Sequence, residues 1–392
     1  MISVKKGLEL EFFVTDENFN PNSNVYNIVR DLGHENISHE YGPYQFEIAS
    51  NPSTSYLELE SNIKEYVNMV QSRLDEGSRL LSVGAFPLEF NPLVSPNERL
   101  NNITNSTNEM FDFANGEGVE LETGLQAFQV NYSLVGSEMS ETEQIIYLNN
   151  ILRPTIPIMV ALTANSPVFQ NSRVHTNSYL ERNGGHPILN GRRHIWERCE
   201  GKGNVNLEDT ICGFGIPESY ESYDDYIDYL THFGGRGNPV GVESQLYVDI
   251  RPRTEDKAGN KFANDEIRVE YRPCDMLCTL GENLGVSALL EGHILSCLDG
   301  NNVLSNISSN TNELEVLSSN AGRFGLNCQV DDRNLRDYAH LMISQARDYL
   351  DEVSFSYVEN LIPLLEETRA QQQIRMGTNN YLDEILNEFD YN

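Results

Sequence analysis

Lysine is scarce in this sequence. The chain of 392 residues has 27 basic residues, of which only six are Lys, against 59 acidic ones, so the formal net charge is −32. A surface this acidic repels phosphate backbones and anionic lipid headgroups. It therefore excludes a general nucleic-acid binder and disfavours an anionic membrane surface as a partner. Many acids with little Lys would also suit a high-salt environment, but net charge bears on solubility rather than on activity.

Long hydrophobic runs, cysteines and the common phosphate-binding motifs are missing as well. No stretch approaches the ~18 apolar residues of a membrane helix, and the opening MISVKKGLELEFFV lacks the apolar run of a signal peptide. Six cysteines are too few for a disulfide scaffold. We therefore expect a cytoplasmic protein without a membrane partner. Because no Walker A and no GxGxxG motif occurs, phosphates would not be held by a P-loop or a Rossmann turn.

Hydrophobic periodicity predicts a mixture of strands and helices. Alternating patterns predict strands at 7–14, 41–50, 125–135, 245–253 and 266–272. Helical spacing predicts helices at about 55–81, 140–162 and 223–233, and a mostly helical region after 281. The strands gather before and after the helices instead of alternating with them. This order favours an α+β fold with an antiparallel sheet over a doubly wound parallel one.

The predicted strands share one kind of polar face. Since successive side chains on a strand point to opposite faces, each strand places its polar residues opposite apolar ones. These polar residues are Glu9 and Glu11, Gln45 and Glu47, Gln129 and Asn131, Asp249 and Arg251, and Arg268, Glu270 and Arg272. One such strand is ordinarily a solvated face. Five together would repel one another unless cations neutralise the carboxylates, and Mg²⁺ prefers such oxygens. Arg adds planar grips for phosphate or carboxylate, so the face suits a metal–ATP site.

The same residues resemble the glutamate–cysteine ligase family of carboxylate–amine ligases, within the glutamine-synthetase-like superfamily. GLELEFF resembles the opening G-x-E-x-E-F strand of that family, and EYGPYQFEIAS, with Glu40 and Glu47, resembles its second acidic strand. YVDIRPR and IRVEYRPCD resemble its paired strands D-x-R-P and E-x-R-x-x-D. Further matches in the family's order are GAFPLEFNP, FQVNYSL, VALTANSPVFQ and NAGRFGLNC, so the resemblance extends from Gly7 to about Cys328.

The resemblance implies a fold and an activity. The fold would be a curved antiparallel sheet of about six strands with a concave active-site face, covered by helices. It would form a single catalytic domain over 1–392 with a mostly helical part at about 281–392. The activity would be an ATP- and Mg-dependent (or Mn-dependent) ligase. Glutamate and ATP would give a γ-glutamyl phosphate, from which an amine, typically that of cysteine, displaces phosphate. Partners would be amino acids and ATP; a homo-oligomer stays an open option.

The resemblance also implies roles for individual residues. Arg272 and Arg251 would be catalytic and grip the transferred phosphoryl group or a substrate carboxylate, and Arg193, Arg251 and Asn131 would contact ATP. The metal ligands would be Glu9, Glu11, Glu40, Glu47, Gln129 and Glu270. Gln129 departs from the pattern, because the family generally has His there. An amide oxygen is still a ligand for Mg²⁺.

Two alternatives stay open at this point. One is a related ligase that joins glutamate or another acid to a different amine. The other is an inert homologue with a binding or regulatory role, for which Gln129 is the only indication. The clustered charges of Glu9, Glu47, Glu270 and Arg272 argue against the inert homologue, because such a protein gains nothing from holding them on one face.

Overall fold

The computed structural model describes residues 2–97, 123–169, 172–173, 190, 212–234, 246–254 and 267–391. Arg193 and most of the segment between the strands predicted at 245–253 and 266–272 lie outside the described residues. The strands are β1 (Ser3–Thr15), β2 (Ile37–His39), β3 (Gln45–Ala49), β4 (Arg79–Leu81), β5 (Ala127–Val135), β6 (Val168–Phe169), β7 (Ser172–Arg173), β8 (Cys212–Gly215), β9 (Leu246–Val248), β10 (Ile250–Arg253), β11 (Arg268–Asp275), β12 (Gln329–Val330) and β13 (Arg333–Asn334).

The helices of the described residues lie between and after these strands. They are α1 (Val25–Leu32), α2 (Tyr56–Gln71), α3 (Glu141–Leu152), α4 (Ile156–Leu162), α5 (Tyr223–Gly234), α6 (Leu280–Leu298), α7 (Thr311–Phe324), α8 (Leu335–Tyr349), α9 (Glu352–Glu359), α10 (Ile362–Glu366), α11 (Arg369–Met376) and α12 (Thr378–Glu388). The region after Gly281 is therefore mostly helical, as the sequence predicts.

Seven antiparallel strands form the main sheet, in the order β10–β11–β5–β1–β3–β2 with β4 beside β1. The long strand β1 has two neighbours on one edge: β5 pairs with Ser3–Leu10 and β4 with Phe13–Thr15. The predicted α+β fold with an antiparallel sheet is confirmed, with seven strands instead of about six. Strands from residues 3 to 275 thereby meet in one sheet.

The two faces of the sheet differ in polarity. One face carries Leu8, Leu10 and Phe12 of β1 and matching apolar residues of the neighbouring strands, all buried in the main core. Helices α2, α3, α4 and α6 contact the sheet. Most residues of α6 are buried, as expected for a helix enclosed by other elements. The opposite face carries the polar residues that the strand alternation predicts.

Two predicted elements differ in detail from the structure. The helix expected at 140–162 begins with a capping box at Ser140 but runs as α3 and α4, joined by a 3₁₀ turn at Arg153–Thr155. Pro154 lies in that turn and lacks the N–H that a continuous α-helix needs. The helix expected at about 55–81 ends at Gln71, and Arg79–Leu81 form strand β4 instead.

The segment Glu141–Leu162 also departs from the expectation that no membrane-like run exists. By length and composition it is apolar enough to cross a membrane, but 78% of its most apolar window is buried inside the protein. Such burial is what the core helix of a folded domain shows.

Candidate active site

Three carboxylates meet on the polar face of β1 and β3. Glu11 and Glu47 are direct cross-strand partners, and Glu40 precedes β3 in the connection from β2. One carboxylate oxygen of each lies within 4.8 Å of the others, and all three residues are partly buried. We call Glu11, Glu40 and Glu47 the carboxylate cluster. Like charges at such distances repel, so the cluster favours a bound cation.

Local hydrogen bonds fix the orientation of the carboxylate cluster. Glu11 accepts the backbone N–H of Ala127 at 2.7 Å through Oε2 and the Nε2–H of Gln129 at 3.3 Å through Oε1. Glu47 Oε1 accepts the hydroxyl of Ser38 at 3.2 Å. These bonds hold the side chains in place while each carboxylate retains further lone pairs.

Gln129 presents an oxygen beside this cluster. Its side chain is 6% exposed, and its Oε1 is buried without a hydrogen-bond partner among the described residues. A buried acceptor left unpaired costs about 1–3 kcal/mol, which a cation at that point would recover. Carboxylates and an amide carbonyl form an all-oxygen donor set, the type that Mg²⁺ or Mn²⁺ accepts. The residues present therefore fit a hard divalent cation.

Glu9 and Asn131 continue the polar face towards the start of β1. Asn131 Nδ2–H donates to Glu9 Oε1 at 2.8 Å, and Arg268 Nε–H donates to Asn131 Oδ1 at 3.1 Å. Both ends of the amide thus have a partner of the right kind, which fixes its orientation. Glu9 lies two residues before Glu11 on β1 and directly opposite Gln129 in the β1–β5 register. It is therefore next to the carboxylate cluster on the same face.

Glu270 lies among three guanidinium groups at β10 and β11. It is fully buried, and it accepts hydrogen bonds from Arg251 at 2.8–3.1 Å, from Arg253 at 3.1 Å, and from Arg272. We call Arg251, Arg253, Arg272 and Glu270 the arginine cluster. One negative charge among three positive ones leaves an excess of two, which favours an anionic ligand.

Burial and charge act in opposite directions on these groups. Burial alone would raise the pKa of Glu270, but Arg251, Arg272 and Arg253 hold it well below its usual range. Burial lowers the pKa of Arg251 to about 10, which leaves the guanidinium charged at neutral pH. The cluster therefore keeps its net positive charge under working conditions.

The strand order sets the distance between the two clusters. β5, with Gln129 and Asn131, separates β11 from β1, so the strand of Glu270 lies two strand spacings, about 10 Å, from the strand of Glu11. Along the strands, Glu270 is in register with Asn131 and through it with Gly7, which lies four residues, about 13 Å, from Glu11. The face thus has a half that attracts cations and a half that attracts anions.

The structure brings nearly all of the predicted site residues to this face. Those present are Glu9, Glu11, Glu40, Glu47, Gln129, Asn131, Arg251, Glu270 and Arg272, while Arg193 lies outside the described residues. Glu270 contacts arginines and not the carboxylate cluster, so its role as a metal ligand stays a prediction. Arg253 was not among the predicted site residues, although its spacing of two from Arg251 indicates the same face.

Comparisons with known proteins agree on the fold. A bifunctional glutathione synthetase from Pasteurella multocida has a similar structure, with a TM-score of 0.66, 15% identity, and alignment over 98% of this chain and 52% of that one. A glutamate–cysteine ligase from Francisella tularensis, solved in complex with AMP, also gives 0.66, with 14% identity over 99% and 87% of the two chains. This chain thus spans about half of the length of the P. multocida protein. No curated protein sequence matches the chain.

The sheet and its helices form the fold that these two solved structures share with this chain. The model of glutamate–cysteine ligase family 2 matches residues 5–375. The chain belongs to this family. The family resemblance that the motifs indicate is confirmed.

Proposed function

We propose that this protein joins the γ-carboxylate of glutamate to an amine, specifically that of cysteine, to form γ-glutamylcysteine with ATP and Mg²⁺. The observation that carries this proposal is the pairing of two opposite half-sites on one sheet face. The carboxylate cluster suits the cation of metal–ATP, and the arginine cluster suits the anionic reactants. The whole chain would act as one catalytic domain in the cytoplasm.

The reaction needs two displacements. An oxygen of the γ-carboxylate attacks the γ-phosphorus of ATP and ADP leaves, which gives a γ-glutamyl phosphate. The amine nitrogen then attacks the γ-carbon, phosphate leaves with the attacking oxygen, and the nitrogen loses a proton. Both reactants of the first step are anions, so their repulsion must be offset.

The residues of the face divide this task. Glu11, Glu40, Glu47 and Gln129 would hold the divalent cation, with Glu9 and Glu270 as further ligands. When bound, the cation supplies charge neutralisation of the phosphates. Arg272 and Arg251 would grip the transferred phosphoryl group with planar N–H pairs. Asn131 and Arg251, together with Arg193, would contact ATP.

The route through an acyl phosphate has an isotopic signature. The purified protein is incubated with ATP, Mg²⁺, cysteine and glutamate labelled with ¹⁸O in its γ-carboxyl group, and the phosphate is analysed by mass spectrometry. We expect phosphate that carries one ¹⁸O, in amounts equal to the γ-glutamylcysteine formed. Unlabelled phosphate would indicate attack of water on ATP and would contradict the mechanism.

A panel of acids and amines separates the alternatives. Preference for an amine other than cysteine would identify a related ligase, and absence of phosphate release with every pair would indicate an inert homologue. Glu47→Gln serves as the inactive reference. Glu65→Gln, an exposed position on α2, is the matched control that removes a carboxylate elsewhere.

A further inference from the structure

Glu40 differs from the other two members of the carboxylate cluster in how the chain holds it. Glu11 and Glu47 lie on paired strands, so the β1–β3 ladder fixes their positions. Glu40 follows the last residue of β2 and begins the connection 40–44, which lies between the strands β2 and β3. Mg²⁺–oxygen bonds are only about 2.1 Å long, so a metal ligand on such a connection needs contacts that hold it in place.

Ser95 supplies two such contacts from a distant segment. Its Oγ–H donates to the carbonyl of Glu40 at 2.8 Å, and its N–H donates to the carbonyl of Tyr41 at 2.7 Å. The side chain of Ser95 is fully buried, and the following Pro96 restricts its backbone to extended conformations. One buried residue thus holds two consecutive carbonyls at the start of the connection.

Gln45 holds the same connection from its other end. Its Oε1 accepts the N–H of Gly42 at 2.9 Å, and its Nε2–H donates to the carbonyl of Leu125, just before β5, at 3.0 Å. A Cβ on Gly42 would lie 2.7 Å from Gln45 Oε1 and 2.5 Å from the ring of Tyr44, so this close approach requires glycine. The strand alternation places Gln45 on the polar face, where the proposed function gives it no role.

We propose that Ser95 and Gln45 are positioning residues of the cation site, which hold the connection so that Glu40 stays in the carboxylate cluster. This inference rests on the proposed function for the assignment of a cation to that cluster. Substitution of residues that orient a metal ligand typically changes the metal affinity by roughly 10–100-fold. Because neither residue is assigned to the metal or to the reacting atoms, its loss should weaken cation binding without abolishing the reaction.

Mn²⁺ serves as the probe, because its electron paramagnetic resonance signal reports the free ion. The purified wild type, Ser95→Ala and Gln45→Met are titrated with Mn²⁺ in the absence of substrates. We expect the Kd of the site to rise about ten-fold in both variants. In turnover assays, the Mn²⁺ concentration for half-maximal phosphate release should rise by the same factor, while kcat at saturating Mn²⁺ stays close to that of the wild type.

Two reference variants make the titration decisive. Glu47→Gln lacks a ligand of the site and measures the Mn²⁺ that binds elsewhere on the acidic chain. Ser296→Ala removes a buried hydroxyl of α6 that donates to the carbonyl of His293, also at 2.8 Å, and it should leave the Kd unchanged. Thermal unfolding shows which variants are folded. If Ser95→Ala does not fold, Gln45→Met tests the same connection from its other end.

The outcomes separate this inference from the proposed function. A folded variant that binds Mn²⁺ as tightly as the wild type refutes the positioning role of its residue, and so does a lower kcat with an unchanged Mn²⁺ requirement. If the wild type binds Mn²⁺ no more tightly than Glu47→Gln, the cation site and its positioning residues are both refuted. If the wild type forms no amide but the titrations show the expected losses, the positioning stands and the proposed ligase reaction fails.

Discussion

Glu11 and Glu47 face each other directly across the antiparallel pair β1–β3. A pair of carboxylates at one cross-strand position costs roughly 0.2–1 kcal/mol compared with neutral partners. Glu40 adds a third carboxylate to the same point. The carboxylates that form the candidate cation site therefore lower the stability of the metal-free sheet.

Glu47→Gln separates these two effects. We expect the variant to lose amide formation, because the metal site loses a charged ligand, while its free energy of unfolding without metal rises by up to about 1 kcal/mol. Phosphate release and urea unfolding measure the two quantities. Glu65→Gln should change neither. An active Glu47→Gln enzyme with unaltered Mg²⁺ dependence would contradict the role given to Glu47.

Gln129 is the position where a metal preference is set. Gln129→His should retain activity and shift the preference towards Mn²⁺, because imidazole is a softer ligand than an amide oxygen. Gln129→Leu should raise the metal concentration needed for turnover, because it removes the unpaired Oε1. Titration of phosphate release with Mg²⁺ and Mn²⁺ measures both effects. An unchanged titration in Gln129→Leu would mean that Gln129 only donates its hydrogen bond to Glu11.

Glu270 should stabilise the arginine cluster in a pH-dependent manner. Glu270→Gln removes the carboxylate that buried Arg251 and Arg272 share with partly buried Arg253, and we expect a loss of about 3–5 kcal/mol of unfolding free energy at pH 7. The pKa of Glu270 is lower in the folded protein than its value of 4.5 in the unfolded chain. The ionised carboxylate therefore contributes its full share of the unfolding free energy above pH 4.5, and this share is lost as the pH falls from 4.5 towards the folded pKa.

Urea unfolding of the wild type and Glu270→Gln from pH 8 to pH 3 measures this contribution. The difference in unfolding free energy between the two proteins should be constant down to about pH 5 and narrow below pH 4.5. A difference that narrows between pH 8 and pH 6 would contradict the depressed pKa.

Lys6 and Glu291 form a buried ion pair on the opposite side of β1. Lys6 Nζ lies 2.6 Å from Glu291 Oε2 of α6, donates to the carbonyl of Thr54 at 2.9 Å, and lies 4.2 Å from the ring centroid of Tyr56. Glu291→Leu alone should cost about 3–5 kcal/mol, since it leaves the Lys6 charge buried, whereas Lys6→Met with Glu291→Leu should be close to neutral. Urea unfolding of the four proteins of this double-mutant cycle tests the pair.

The sequence predicts the faces of the sheet well and the ends of its elements less well. Alternation alone assigns Leu10 to the core and Glu9 and Glu11 to the polar face, because the strand period is two. It does not reveal that the helix beginning after Ser140 is interrupted at Pro154, since the apolar spacing continues through the turn.

Site residues that stand in a sequence motif could be predicted from the sequence. Contacts that depend on how distant segments pair in the fold could not. Glu47 and Arg272 stand in motifs, so their residue types suggest the chemistry directly. The approach of Glu40 to Glu11 depends on the path of the connection before β3. The ion pair between Arg253 and Glu270 depends on the register of β10 with β11. Neither distance is encoded in local periodicity.

The arrangement of this sheet also imposes an order on its assembly during synthesis. All three members of the carboxylate cluster lie within the first 50 residues, but more than 200 further residues separate Glu47 from Glu270. At 5–20 residues per second, the ribosome needs roughly 10–45 s to supply the strands that complete the sheet. Until then the acidic strand pair β1–β3 depends on dissolved cations to offset the repulsion of its carboxylates, so we expect the ionic composition around the nascent chain to affect the folding yield.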